Sequence, residues 1–402
     1  MVWITPLLVT LLLQIVSAVL SRLIPFLAPV LTSEAGIPPT VIGYFAAANM
    51  IGSILFLSAG TPLLRRAGPV RTLQIGVFAG GLGVLLIAWP TAATLLAASF
   101  LCGLGYGPSP AAGGEILQRH APPRHRALIF SIKQAGVPIG GVLGGLVLPL
   151  LAANDWRHAL YACTALAFIA ILIVQPSRET IDKLRDPSQI LSLSAFLSLS
   201  NLTAPLRSLA RSPGILPVTG AAFCFACAQG VLFAFFTTYL VVELGFTLTA
   251  AGALFATNQI ASVFGRIFLG WIVDRAGGAT STLIGLGVAS AATTAAIALI
   301  SPSWSPLAIA ALAAVSGVTV VSWNGVILAE TARLAPPDAV AQTAAGSTLL
   351  CFVGYVVSPA SFAAIVQASG SYRLAFLITA CVALGAAFCM ISVARKSRDA
   401  SR

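Results

Sequence analysis

Three cations interrupt apolar runs of the chain. Arg22, Lys133 and Arg266 each stand inside a hydrophobic stretch long enough to cross a bilayer, which takes about 20 residues. A charged side chain at membrane depth costs at least ~2.5 kcal/mol unless it faces protein or water, so each is a functional-site hypothesis. None of the eleven acidic residues lies deep in such a stretch, and Glu115 and Glu330 come closest, at the ends of two of them. Embedded cations without an embedded carboxylate suit an anion, and Arg offers a small carboxylate a bidentate partner.

The neighbours of each cation qualify that reading. Arg22 adjoins Gln14, Ser17 and Ser21 at helical spacing, with Pro25 one turn on. This stripe is expected to face the bundle interior, although Arg22 equally suits a structural role on carbonyls freed by Pro25 and Pro29. Asn258, Ser262 and Arg266 are spaced i, i+4, i+8 and form one polar face. Lys133 shares a face with Gly136, Gly140 and Gly144, a small-residue surface that suits close packing of a neighbouring helix; its ammonium could also snorkel to the interface. Asn49 and Asn258 are candidates for lining a cavity or for interhelical hydrogen bonds. Trp323 and Asn324, and Tyr355 on a stripe with Thr348, Cys351 and Ser358, complete the candidate substrate-binding set, with Tyr106 and Ser109 weaker.

Other chemistries find little support. His120, His125 and His158 all fall in connecting segments, and no Ser-His or carboxylate pair is buried, which argues against an enzyme. Cys224-x-x-Cys227 has metal or redox spacing, but it lacks a second pair or a nearby His and reads as small residues in a packed helix. No catalytic residue, metal ligand or cofactor is expected. The formal net charge of +11 comes without a basic run interleaved with aromatics, so nucleic-acid binding is not expected.

The elements that must position these residues are membrane helices. The chain is 58% hydrophobic and 8% charged, against roughly 25% charged in soluble domains. Residues 34–76 recur at 243–285, shifted by 209 positions without a gap: Glu34 meets Glu243, Gly36 meets Gly245, Asn49 meets Asn258, and Arg66-Ala67-Gly68 meets Arg275-Ala276-Gly277. The chain is thus two copies of one membrane unit, and paired repeats with a site between them build many secondary transporters. Apolar length and turn chemistry place twelve spans, at 4–30, 41–64, 72–89, 92–117, 128–152, 158–175, 213–240, 249–272, 280–300, 305–329, 341–367 and 373–394. The expected fold is an all-α membrane protein of twelve transmembrane helices in two pseudo-symmetric six-helix bundles, 1–175 and 213–394. A connecting segment, 176–212, and a tail, 395–402, flank the second bundle.

One set of connections plus the tail carries seventeen of the 22 Lys and Arg residues, and the opposite set only Arg157 and Arg373. The positive-inside rule puts both termini in the cytoplasm. The apolar N-terminal stretch is too long for a cleavable signal and reads as the first span. Within the connection, Ile190, Leu193, Phe196 and Leu197 fall on one helical face, as expected of a short helix on the membrane surface or of a loosely ordered linker.

Six spans, a cytoplasmic seam and six spans again resemble the major facilitator superfamily of transporters. Gly270-Trp271-Ile272-Val273-Asp274-Arg275-Ala276-Gly277 looks like that superfamily's G-x-x-x-D-R-x-G loop motif. The first-half counterpart, Thr61-Pro62-Leu63-Leu64-Arg65-Arg66-Ala67-Gly68, has lost the Gly and carries Arg65 where the acid belongs. Trp156-Arg157 and Tyr372-Arg373, opening spans 6 and 12, resemble the superfamily's aromatic-Arg entry. The resemblance implies a gating loop at Gly270, Asp274, Arg275 and Gly277; apart from it, opposite charge at the cytoplasmic helix ends is expected to pair Arg275 with Glu330, and Arg66 or Arg126 with Glu115, in gating or structural roles. Arg266, four residues before Gly270, also resembles the substrate Arg of monocarboxylate transporters, without the acid one turn earlier.

The expected protein is a monomeric, alternating-access transporter in a bacterial inner membrane, moving a small organic anion by symport with protons, with uniport and anion exchange open. Efflux of a hydrophobic or drug-like compound is the alternative.

Overall fold

The computed structural model describes residues 3–122, 126–189, 206–211, 214–275, 278–336 and 340–399, and every regular element among them is helical. By contact density the chain divides into two compact units. Unit 1 holds Met1–Pro39 and Ala48–Leu199; unit 2 holds Thr40–Ala47 and Ser200–Arg402, so the first turn of span 2 groups with unit 2.

Spans 1 to 6 run Ile4–Glu34, Ile42–Ala59, Pro69–Leu86, Ala92–Tyr106 continued by Pro108–His120, Arg126–Leu151 and Arg157–Val174. Spans 7 to 12 run Ile215–Thr238, Leu248–Arg275, Ala279–Ala298, Pro306–Thr319 continued by Asn324–Leu334, Val340–Ser369 and Tyr372–Asp399. Among the described residues, ten of the twelve are long and apolar enough to cross a membrane by length and composition. The other two are spans 4 and 8. Span 4 is cut into two short helices, and span 8 carries Asn258, Gln259, Ser262 and Arg266 on an otherwise apolar helix. Residues 190–200, where a surface helix is expected, lie outside the described residues.

Spans 4 and 10 are both broken at mid-length, which the apolar pattern does not foretell. In span 4 the break is Gly107 followed by Pro108, and a proline supplies no N–H to continue the ladder. Span 10 has no proline at its break. There Ser322 Oγ lies within hydrogen-bonding reach of the carbonyls of Gly317, at 2.8 Å, and of Ser262 on span 8, at 3.1 Å, and its one proton serves one of them, so a side chain competes with the backbone ladder.

The repeat also fixes one helix crossing in each unit. A Cβ on Gly103 would overlap the backbone carbonyl of Asn49, and a Cβ on Gly317 the carbonyl of Asn258. Spans 2 and 4 in unit 1, and spans 8 and 10 in unit 2, therefore touch backbone to backbone at equivalent points. In unit 1, span 5 lays Gly136 against Leu11 and Gln14, Gly140 against Ala18 and Ile15, and Gly144 against Phe26. That is the small-residue packing face expected from the sequence, and its partner is span 1.

Candidate functional site

Unit 1 gathers four polar side chains from three spans. Gln14 on span 1 donates through Nε2 to Gln134 Oε1 on span 5 at 3.1 Å, and Ser109 Oγ on span 4 donates to Gln14 Oε1 at 3.3 Å. Lys133 Nζ donates to the Ser109 carbonyl at 3.0 Å. Lys133 is 4% exposed, an environment a lysine almost never enters unless its head is partnered. Gly113 leaves room for its stem, since a Cβ there would come within 2.9 Å of Lys133 Cε. Among the described residues no carboxylate lies within 4.0 Å of Lys133. Gln134, next in sequence, is exposed, so the side-chain network runs from the buried Ser109 hydroxyl to an accessible amide, and the ammonium joins the same stretch of span 4 through the Ser109 carbonyl.

Two turns along span 1 from Gln14, Arg22 is partly buried and its Nη1 reaches the Val137 carbonyl on span 5 at 3.5 Å. A carbonyl that Pro25 frees, that of Ser21, receives Asn49 Nδ2 at 3.4 Å. Asn49 also donates to the Ser99 carbonyl at 3.2 Å. Its repeat partner Asn258 is fully buried, donates to Ser316 Oγ on span 10 at 2.7 Å and accepts from Gln259 at 2.7 Å. Both asparagines therefore staple neighbouring helices at the two glycine crossings, and full burial removes Asn258 from any cavity wall. Of the two roles open to these residues, the interhelical one is observed.

In unit 2, Tyr355 Oη donates to Gln229 Oε1 at 2.9 Å, joining spans 11 and 7. Arg266 is half-buried on span 8, and Gly265 beside it faces Ser322 of span 10. Trp323 departs from expectation. It is 2% exposed, stacks on Phe225 with ring centroids 5.6 Å apart, and belongs to the hydrophobic core of unit 2, because the break in span 10 turns it inward. Asn324, one residue later, is exposed and opens the second half of span 10.

The gating residues take partners that differ from those expected. Glu330, buried at the end of span 10, is held by both forks of Arg333 at 2.7 and 2.8 Å and by Thr280 at 2.6 Å. Arg275 instead lies over the Trp271 ring at 4.8 Å. Glu115 pairs with Arg119 one turn on, at 2.5 Å, while Arg66 donates to the Gln189 carbonyl at 3.3 Å. In each case the acid finds an arginine on its own helix at i+3 or i+4, the nearest geometry a helix offers. Gly270 is exposed on span 8; the Asp274 side chain and Gly277 lie outside the described residues.

At the same end of unit 1, Asp182, just beyond span 6, accepts from the backbone N–H groups of Val70 at 2.8 Å and Arg71 at 3.0 Å, capping span 3. Gly68 at φ 89° makes the turn, and a Cβ there would collide with Asp182. Burial pushes the Asp182 carboxyl above the usual aspartate range, against the pull of those two N–H groups and of Arg178.

Gln134, Gln229 and Gln259 were not among the residues singled out from the sequence. The available signal is a glutamine amide inside a long apolar stretch.

The family model of the Major Facilitator Superfamily matches residues 9–359. An uncharacterized MFS-type transporter of Mycobacterium tuberculosis is 26% identical over 78% of this chain and 68% of its own length. The 4-hydroxybenzoate transporter PcaK of Pseudomonas aeruginosa is 26% identical over 62% of this chain and 61% of its own. The matches thus span about two thirds or less of these relatives' lengths. Among solved structures, a bacterial homologue of the human lysosomal transporter Spinster superposes with a TM-score of 0.71 at 15% identity, over 97% of this chain and 96% of that one, and so shares the fold. The chain belongs to the Major Facilitator Superfamily, and it is a multi-pass membrane transporter rather than an enzyme.

Proposed function

We propose that this protein moves a small organic anion, a carboxylate, across the bacterial inner membrane by alternating access of its two units, in symport with protons. The observation that carries the reading is the buried Lys133 ammonium, which donates to the Ser109 backbone carbonyl beside a side-chain network of neutral amide and hydroxyl groups from Gln14, Ser109 and Gln134. A cation held by a single carbonyl keeps two donors for a ligand. The relative named for 4-hydroxybenzoate supports a carboxylate substrate. Arg22 and Arg266 are the further anion-binding candidates, with Asn324 and Tyr355 as neutral contacts. Both termini lie in the cytoplasm on this reading, the protein works as a monomer, and the Glu330–Arg333–Thr280 and Glu115–Arg119 groups belong to the cytoplasmic gate.

The test is uptake of radiolabelled 4-hydroxybenzoate and a panel of other carboxylates into proteoliposomes. Removing one charged hydrogen-bond partner by Lys133→Met is expected to lower uptake about ten- to a hundredfold with unchanged insertion and monodispersity. Full uptake by the variant would overturn the assignment of Lys133. A host resistance phenotype to hydrophobic compounds, with no carboxylate uptake by the wild type, would favour efflux.

A further inference from the structure

The charge reversal at position 65 opens a second, unassigned basic site. The loop motif of the second repeat has Asp274 where the first has Arg65. In unit 1 that arginine lines a cleft of about 220 Å³ together with Leu64, Pro69, Glu115, Arg119, Arg185 and Asp186. This is smaller than the roughly 300–1,000 Å³ of sites for drug-sized ligands and suits a single charged group. Three separate elements bring the arginines together: the short helix Thr61–Ala67, the second half of span 4, and the segment after span 6.

That segment is tied down at several points. Asp182 caps span 3, the Asp186 N–H donates to the Arg65 carbonyl at 2.8 Å, and Arg66 reaches the Gln189 carbonyl. The cleft is therefore built by fixed backbone rather than by surface side chains alone.

The two acids in the wall are already engaged. Glu115 is paired with Arg119 at 2.5 Å. Asp186 accepts from the Ser188 hydroxyl at 2.5 Å and the Ser188 N–H at 3.0 Å, and these bonds, with a smaller pull from the Arg65 guanidinium, hold its carboxyl below the usual range. Among the described residues, neither Arg65 nor Arg185 has a carboxylate within 4.0 Å. Two guanidinium forks on a small cleft match the oxygens of a phosphate group.

We propose that this cleft binds a phosphate-bearing anion through Arg65 and Arg185, at a site separate from the transported substrate. The phosphate can come from an anionic lipid headgroup, which basic pockets between membrane helices recognise, or from a soluble phosphate. The inference stands on unit 1 alone and does not depend on the carboxylate reading.

The test is the thermal unfolding midpoint of the full chain in detergent, delipidated and then titrated with phosphatidylglycerol, phosphatidylcholine or inorganic phosphate at matched ionic strength. The wild type is expected to be stabilised by phosphatidylglycerol or by inorganic phosphate, and not by phosphatidylcholine. Arg65→Gln combined with Arg185→Gln is expected to weaken that effect about tenfold or more, whereas Arg395→Gln, at the far end of span 12, leaves it unchanged. Stabilisation by inorganic phosphate assigns the site to a soluble anion, and stabilisation by phosphatidylglycerol alone assigns it to lipid. Should the double variant not fold, Arg185→Gln alone, beyond the spans, carries the same comparison. No stabilisation of the wild type by either, or an undiminished effect in the variants, overturns the proposal.

Discussion

Lys133 and Asn258 are both polar, both buried in apolar helices, and differ in how their hydrogen bonds are used. Asn258 spends its amide on Ser316 and Gln259, so it belongs to the scaffold. Asn258→Ala should destabilise the detergent-solubilised protein by about 1–3 kcal/mol, the cost of leaving buried partners unpaired, as a lowered unfolding midpoint. Substrate affinity in the folded fraction should not change. Lys133 bonds one carbonyl and no carboxylate among the described residues. Its removal should therefore be read in uptake rather than in the unfolding midpoint. Arg266→Ala is expected to follow Lys133→Met, with loss of uptake in a folded protein; full uptake would place Arg266 in the scaffold.

Between helices, the repeat acts through backbone contact. Gly103→Ala and Gly317→Ala each force a methyl group into the carbonyl of the equivalent Asn. Both should block folding or cut the yield of monodisperse protein, whereas Gly270→Ala, where a Cβ meets nothing within 4 Å, should not. The Asp182 cap gives a pH signature. Its folded-state carboxyl is raised above the ordinary 3.8, so the native state binds more protons than the unfolded one. Stability then falls as pH rises from about that value through the raised one. Asp182→Asn should flatten this acid-side dependence in a series of unfolding midpoints; an unchanged profile would mean that another group titrates there.

For the whole molecule, proton coupling is the claim with the sharpest consequence. If symport holds, an inside-alkaline gradient should drive carboxylate accumulation in proteoliposomes, and a protonophore should collapse it. Accumulation indifferent to the gradient would leave uniport or anion exchange. The family membership that frames this experiment spans residues 9–359, so it draws on both units.

The sequence by itself settled what depends on apolar length and period. These are the twelve spans, the duplication at 209 positions, the small-residue face of span 5 and the family, since each is a property of one helix or of a pattern along the chain. It also named Lys133, because a charge in an apolar run is visible without coordinates. Only the tertiary structure decided what each polar group touches. Asn49 reads alike as cavity wall or staple until Ser99 and the freed Ser21 carbonyl are placed beside it. Trp323 reads as a binding aromatic until the break in span 10 turns it onto Phe225. Gln134 reads as nothing until Gln14 arrives from 120 residues away. Helical period gives the direction of a side chain on its own helix; what stands opposite is fixed by packing between spans far apart in sequence, and the order of residues does not carry that information locally.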